Sequence, residues 1–262
     1  MKNGRVRVVA GSRGPATAAT DSIKTNFPQG IDPKRKKCFR GVVKTTFLTV
    51  LAYHPELRGV PIRINAEDGL SDGSAGKAIY KMGLGKVNGD ILVVLAHCGN
   101  KKCTNLCPEK QTLTKVCKHE CTHLAARRIW GVRKIPSWLE EGYAEWVANG
   151  SSGESEAIWI VSNYDMDFSE KDMYQVFQGL NAIHYKLFYL MFVFLSKKRQ
   201  VRIQDFVRQV GKKGWQKALS SVYGITPEEL YRQFFRYLET SKKTAPNFLD
   251  SILNGVRGWI QV

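Results

Sequence analysis

Several features that would place this chain in a familiar functional class are missing from its sequence. No apolar run reaches the roughly 18 residues that a membrane-spanning helix needs. The longest candidate, residues 185–195, predicts a buried helix instead. The N-terminal residues are basic but lack the apolar segment of a secretory signal. The glycine-rich stretch near residue 85 is not followed by the Lys-Ser/Thr of a phosphate-binding loop. We therefore expect a soluble protein without a membrane span or a phosphate loop.

Acidic residues are scarce near both ends of the chain, although the middle is balanced. The 262 residues carry a formal net charge of +17. Residues 1–60 contain twelve Lys/Arg and three acids, and residues 196–262 contain thirteen and five; residues 61–195 contain fifteen of each. A basic surface can bind nucleic acid, anionic membrane or an acidic protein. The flanks therefore predict an anionic partner, with a simply solvated basic face as the alternative.

Five of the six cysteines fall within residues 98–121, in the spacing C-x4-C-x3-C-x9-C-x3-C. Without a signal peptide, reduced thiols and a cytoplasmic location are the default expectation. One alternative is a disulfide cluster in a secreted protein whose leader is missing from this sequence. The other is a second, structural zinc site at Cys98, Cys103 and Cys107. The spacing does not choose between these three states.

Residue patterning predicts an α+β fold in three parts. Residues 1–37 indicate a flexible basic N-terminal arm, residues 38–240 the folded domain, and residues 241–262 a C-terminal extension packed on it. A helix is expected over 38–53 and a strand within 59–69. Two more strands are expected within 71–97, joined by a Gly-rich connection in which Asn88-Gly89 marks a turn.

The second half of the chain has helical patterning. Helices are expected over about 108–131, 136–149, 169–198 and 201–219, with a loop over 150–168. A last helix is expected from Thr226, because Thr-Pro-Glu-Glu combines a capping box with proline at the first helical position. A short sheet followed only by helices is typical of α+β proteins.

Residues 118–146, KHECTHLAARRIWGVRKIPSWLEEGYAEW, contain the pattern H-E-x-x-H at His119, Glu120 and His123. On a helix, residues four apart lie on one face, so both imidazoles can point at one metal ion. Glu120 lies beside the pair, where it can take a proton from a water that the ion activates. The pattern predicts a catalytic zinc site, with the two histidines as ligands and Glu120 as general base.

Tetrahedral zinc in such a site needs one more protein ligand. No histidine follows His123 within a dozen residues, so the metzincin pattern is absent. Instead, a second predicted helix begins W-L-E-E-G, with seventeen residues between His123 and Glu141. A turn between the two helices would return this acid to the histidines. We expect a His2Glu site with Glu141 as the third ligand, and Glu140 and Glu145 as the alternatives.

HECTH followed by P-S-W-L-E-E-G-Y-A-E resembles the gluzincin metallopeptidases, most closely the peptidase MA-like families, whose pattern is HE-x-x-H and then P-x-W-L-x-E-G-x-A-E-Y. The resemblance implies a zincin-like domain with one zinc ion, Glu141 as the third zinc ligand and Glu145 as an accessory acid. It also implies that Tyr185 stabilises the negative charge that develops on the substrate. The likeness extends over about residues 40–240, but only residues 118–146 carry it specifically.

The sequence thus predicts a zinc metallopeptidase acting on a peptide or protein substrate. Endopeptidase action is favoured because the aminopeptidase signature G-x-M-E-N is absent. The alternative is a catalytically weak binding protein on a peptidase scaffold, whose basic flanks hold nucleic acid or another anionic polymer. Replacing Glu120 with Gln would inactivate the peptidase, whereas the binding protein would be indifferent and strongly dependent on salt.

Overall fold

The structure, a computed structural model, describes residues 23–27, 29, 32–60, 62–67, 76–83, 86–94, 108–150, 152–163, 182–198 and 203–244. In chain order its elements are β1 (Ile23–Asn26), α1 (Pro33–Tyr53), β2 (Ile62–Glu67), β3 (Gly76–Gly83), β4 (Lys86–Val94), α2 (Pro108–Trp130), α3 (Ser137–Asn149), α4 (Glu154–Asn163), α5 (Ala182–Lys198), α6 (Ile203–Lys213), α7 (Trp215–Tyr223) and α8 (Pro227–Thr244). A short 3-10 turn, Pro55–Leu57, follows α1. The fold is α+β, as predicted. Every helix in the described ranges is too short or too polar to span a bilayer.

Within the described residues, the sheet has four strands in the order β1-β2-β4-β3. β1, β2 and β4 run parallel, whereas β3 pairs antiparallel with β4 and forms one edge. In β2, Ile62 and Ile64 are buried while Arg63 between them is exposed. This alternation arises because successive side chains of a strand point to opposite faces, and here one face lies on a core.

A first hydrophobic cluster lies between that sheet face and one side of α1 and α2. α1 contributes apolar side chains at helical spacing, and α2 contributes residues within and on either side of H-E-x-x-H. The main members are Phe39, Val43, Phe47, Val50, Ile62, Ile64, Cys117, Cys121, Leu124 and Ala125. The packing of an apolar stripe against the sheet anchors the helix that carries both histidines.

A second, larger cluster surrounds α5, where every side chain from residue 187 to 195 is buried. This confirms the prediction that the longest apolar run is a buried helix. α3 crosses α5 closely at Gly142, where an added Cβ would lie 2.6 Å from the carbonyl oxygen of Phe188. The absence of a side chain at Gly142 therefore lets α3, which carries Glu141, pack against the core.

Ordered structure begins earlier than expected for the N-terminal arm. β1 lies within residues 1–37 and pairs with β2, and α1 begins at Pro33 rather than at residue 38. Asp32 caps this helix, since its Oδ1 accepts a 2.6 Å hydrogen bond from the backbone N–H of Lys34. Residues 1–22 lie outside the described residues. The same holds for residues 245–262 of the expected C-terminal extension.

Two helical expectations are wrong in detail. The predicted loop over 150–168 contains α4, because Ala157, Ile158 and Val161 recur at helical spacing and are buried. The helix expected over 201–219 is divided into α6 and α7 at Gly214, whose φ is 82°. That conformation lies in the region that glycine adopts at little cost and that interrupts a helix. The predicted helices that became α2 and α3 are confirmed nearly to the residue, as is the predicted start of α8. Of the helix expected over 169–198, residues 182–198 form α5, and residues 169–181 lie outside the described residues.

The hairpin of β3 and β4 does not turn at Asn88-Gly89, as the sequence predicts. Both residues lie inside β4 and pair with β3. The observed register aligns Gly76–Gly83 with residues 86–93. A turn at Asn88-Gly89 would leave only residues 90–94 to form the second strand, so the ladder would be shorter. The larger number of strand pairs outweighs the local preference of Asn-Gly for a tight turn.

Candidate metal centre

A tight connection brings α3 back against α2. α2 ends at Trp130 and is followed by Gly131, which has a φ of 61° and donates a 2.8 Å backbone hydrogen bond to the carbonyl of Arg127. Pro136, in an extended conformation, occupies the N-cap of α3. The glycine permits the left-handed residue that stops the first helix, and the proline starts the second. The six residues 131–136 thus return the chain to the face that carries the histidines.

Three side chains from these two helices converge. The Nε2 atoms of His119 and His123 lie 2.9 Å apart, and Oε2 of Glu141 lies 3.3 Å from the first and 3.2 Å from the second. The three residues form a group that could hold a metal ion. The structure therefore brings together the ligand set that the sequence predicts, with Glu141 rather than Glu140 or Glu145 facing both Nε2 atoms.

The geometry of this triangle fits a single ion. Tetrahedral coordination with bonds of about 2.0–2.1 Å separates neighbouring ligand atoms by roughly 3.3 Å, and the observed separations are close to that value. Oε2 of Glu141 is also buried without a hydrogen-bond partner, which is costly for a charged oxygen. A cation at the centre of the triangle would supply the missing interaction. These residues are thus suited to hold a metal, although the triangle alone does not specify which one.

Glu145 supports His119 from the side away from the triangle. Its Oε1 lies 2.9 Å from Nδ1 of His119, at ion-pair distance although not aligned as a hydrogen bond. Glu145 in turn accepts a 2.9 Å hydrogen bond from the side-chain amide of Asn149. A carboxylate in this position orients a metal-binding imidazole and increases its basicity. The accessory role that the resemblance implies for Glu145 stays a prediction.

Glu140 has the corresponding place beside His123, with Oε1 3.8 Å from Nδ1. Arg127, one turn after His123 on α2, donates from Nε to Oε1 of Glu140 at 2.7 Å and from Nη2 to Oε2. Nη1 of Arg127 also donates to the carbonyl of Arg133 in the connection, at 3.3 Å. Arg127 therefore ties the end of α2, the connection and the start of α3 together. Sequence reasoning missed this pair, although a basic residue four positions after His123 was its available signal.

Glu120, the predicted general base, lies on α2 and is 7% exposed. Burial raises the pKa of its carboxyl group, while a hydrogen bond from the backbone N–H of Ala78 acts in the opposite direction. Ala78 belongs to β3, the edge strand. Glu120 therefore connects the histidine-bearing helix to the edge of the sheet, a contact that sequence reasoning did not predict.

Carboxylates dominate the electrostatics of the centre. Burial by itself lowers the pKa of His119, but Glu141 and Glu145 outweigh burial and raise that pKa to about 10. Burial acts on Glu141 in the opposite sense, and the positive charges of His123 and His119 hold its pKa well below the usual range. Buried imidazoles surrounded by acids form an environment that strongly favours positive charge.

Tyr185, predicted to stabilise charge on the substrate, lies in the first turn of α5. Its ring centroid is 6.1 Å from that of His119. Burial raises the pKa of its phenol, and the acids, chiefly Glu141, raise it further. The hydroxyl therefore remains protonated at neutral pH, on a ring that lies near His119.

A second buried histidine lies on the other side of α3. The hydroxyl of Tyr143 and Nε2 of His54 form a 2.7 Å hydrogen bond, and both side chains are almost inaccessible. Burial lowers the pKa of His54 to about 4, so its ring is neutral. Sequence reasoning missed this pair because its members are 89 positions apart and no local pattern connects them.

Cys117 and Cys121 lie on the sheet side of α2. Both are buried free thiols within the first hydrophobic cluster, with their sulfur atoms 4.0 Å apart. The reduced state expected by default is therefore the one found at these two cysteines. The proposed structural zinc site at Cys98, Cys103 and Cys107 lies outside the described residues.

Comparison with known proteins does not identify this chain. It matches no protein-family model and no curated protein. A function must therefore be inferred from the chemistry and geometry of the centre itself.

Proposed function

We propose that this protein is a zinc-dependent metallopeptidase with a zincin-like, gluzincin-type fold. The observation that carries the proposal is the convergence of His119, His123 and Glu141 beside the buried carboxyl of Glu120. Two histidines and one carboxylate also suit non-haem iron. Zinc is favoured because H-E-x-x-H on one helix adds an acid next to the ligands, where a general base is needed.

The chain's own residues can carry out the proton transfers of peptide hydrolysis. When bound, zinc lowers the pKa of a water towards about 7 and polarises a carbonyl group. Glu120 takes a proton from the attacking water while the oxygen of that water forms a bond to the carbonyl carbon. The same carboxyl then gives that proton to the amide nitrogen as the C–N bond breaks, and an acid and an amine are released. Tyr185 donates a hydrogen bond to the carbonyl oxygen as negative charge develops there.

The outer edge of β3 is an argument that the substrate is a peptide. Among the described strands, β3 pairs only with β4, so its other edge is available in this part of the chain to an extended peptide that adds as a further strand. The hydrogen bond from Ala78 to Glu120 places this strand beside the proposed base. Backbone pairing of this kind holds the middle of a chain as well as its ends, which favours endopeptidase action.

The test combines metal analysis with a proteome-derived peptide library. We expect about one zinc per chain in both the wild type and Glu120→Gln, with cleavage by the wild type and a rate roughly 10²–10⁴-fold lower in the variant. Equal activity of the two proteins, iron in place of zinc, or no metal after careful loading would each contradict the proposal. Zinc binding without cleavage of any peptide would instead favour the catalytically weak binding protein.

A further inference from the structure

α1 concentrates positive charge without any acid. Its 21 residues contain six Lys/Arg and no Asp or Glu, and all six cations fall within residues 34–44. The cations in the first turn oppose the helix macrodipole, whose effect is confined to that turn, and the cations further along gain nothing from it. The macrodipole therefore does not account for this concentration of charge, so its cause is sought in what the surface contacts.

Three of these cations form a stripe along the helix. Lys37, Arg40 and Lys44 are exposed and follow one another at intervals of three and four residues, which places them on one face. Nε of Arg40 donates to the neutral hydroxyl of Thr25 on β1 at 3.2 Å. No ion pair joins any of the three to an acid in the described ranges. The charge of the stripe is thus not neutralised by this part of the protein.

Some basic residues of the C-terminal helices are paired with acids, unlike those of this stripe. Lys197 at the end of α5 pairs with Glu154, and Arg208 on α6 pairs with Glu56. α8 carries acidic residues in its first turn and basic residues further on. The positive charge there is mixed with negative charge, whereas α1 presents positive charge alone.

The opposite face of α1 limits the kind of partner. Its apolar residues between Phe39 and Leu51 are buried or partly buried in the core, so the helix cannot insert this face into a bilayer, as an interfacial amphipathic helix does. Near the stripe the exposed positions include Gly41 and Thr45, which are small. An electrostatic contact with a polymer of regularly repeated negative charge fits such a row of cations best.

We propose that α1 is a docking surface for the phosphodiester backbone of a nucleic acid, contacted by Lys37, Arg40 and Lys44. Contacts to the backbone carry affinity without reading bases, so the binding is independent of sequence. Three phosphate contacts contribute about −2.7 to the slope of log K against log salt on a duplex. The surface is separate from the metal centre, and the inference does not depend on peptidase activity.

The test measures binding of a fluorescent DNA duplex and a single-stranded RNA by anisotropy, between 50 and 200 mM salt. The full chain carrying Lys37→Gln, Arg40→Gln and Lys44→Gln is compared with a control carrying Lys212→Gln, Lys217→Gln and Lys242→Gln. Both variants lose three charges from exposed helical positions. We expect affinity to fall at least about tenfold in the first variant, with a salt slope shallower by about 3, and to change less than about twofold in the control. The comparison of DNA with RNA distinguishes the two sources of the phosphodiester.

Several outcomes would overturn the inference. Equal losses in both triple variants would show a general attraction to the net charge and not a surface on α1. Absence of binding at 50 mM salt would show that the stripe is only solvated. Binding to phosphatidylserine vesicles or to polyglutamate, but not to nucleic acid, would assign another partner. Because all three residues are exposed, unchanged circular dichroism is expected; the charge-reversed pair Lys37→Glu and Arg40→Glu gives a second test and should abolish binding.

Discussion

α3 separates two histidine environments with opposite electrostatics. On one side, acids raise the pKa of His119 to about 10; on the other, burial lowers the pKa of His54 to about 4. Both rings are largely buried, so burial alone does not explain the difference. The carboxylates of Glu141 and Glu145 do, because they favour the charged form of a nearby imidazole. The environment of His119 is suited to a cation, whereas that of His54 is suited to a neutral ring.

The two environments also differ in what they connect. His119 faces α3 through acids that have further polar partners, such as Asn149. His54 follows α1 and reaches α3 through a single hydrogen bond to Tyr143, while Glu56 beside it pairs with Arg208 on α6. The first arrangement can bind and orient a metal. The arrangement around His54 holds α1, α3 and α6 together behind the metal centre.

The largest expected difference between the two sides is in metal affinity. His119→Ala removes one of three ligands and should lower zinc affinity more than about 100-fold, since loss of an outer partner alone costs 10–100-fold. The matched change on the other side, His54→Gln, should leave zinc affinity unchanged. Competition with a chromophoric chelator measures both. Similar losses in the two variants would mean that the environments are not functionally distinct.

The next largest effect is the dependence of the free energy of unfolding on pH that arises from His54. Its pKa is lowered from 6.5 to about 4 in the folded state. The unfolded chain therefore takes up the proton first as pH falls, and the contribution of the neutral ring is fully present above about pH 6.5 and lost as pH falls towards 4. For a shift of this size the loss is as much as about 3 kcal/mol. Urea unfolding at several pH values should show this dependence in the wild type and not in His54→Gln; parallel profiles would refute it.

A somewhat smaller effect is expected where α3 meets the core between the two sides. In Gly142→Ala the new Cβ would lie 2.6 Å from the carbonyl oxygen of Phe188 and 2.9 Å from the side chain of Phe192. We expect a loss of about 1–3 kcal/mol in the free energy of unfolding and weaker zinc binding, since Glu141 is adjacent. Gly41→Ala on α1, where no atom lies within 4 Å of the added Cβ, is the control and should be neutral or stabilising. Equal melting temperatures of the two variants would contradict the close crossing.

The smallest effect concerns the contacts of Arg127 with Glu140 and with the connection between α2 and α3, beside His123. Arg127→Ala removes the donors to Glu140 and the bond to the carbonyl of Arg133. We expect a roughly tenfold loss of zinc affinity, at the lower end of outer-partner effects. Lys197→Ala, which breaks the ion pair with Glu154 elsewhere in the fold, should not change zinc affinity. An Arg127 variant that binds zinc like the wild type would reduce this pair to a surface contact.

The contacts that could be predicted are local. His119 and His123 are four positions apart on one helix, and the return of Glu141 required only a short connection marked by glycine and proline. The elements that could not be predicted depended on distant packing. α4 forms because Ala157 and Val161 find a core to enter, and the β3–β4 register is decided by the length of the ladder and not by Asn-Gly.

The amino-acid sequence by itself determined the α+β class and the helix that carries both histidines, because helical periodicity and capping act over only a few residues. The preference for Glu141 over Glu140 and Glu145 came from the resemblance to the gluzincin pattern. Only the tertiary structure decided that Arg127 holds Glu140, that Ala78 meets Glu120 and that His54 reaches Tyr143. The last two pairs join elements that are distant in the chain, and the first depends on how two helices pack. The polarity of a side chain shows that it needs a hydrogen-bond partner when it is buried, but the three-dimensional packing decides which residue that partner is.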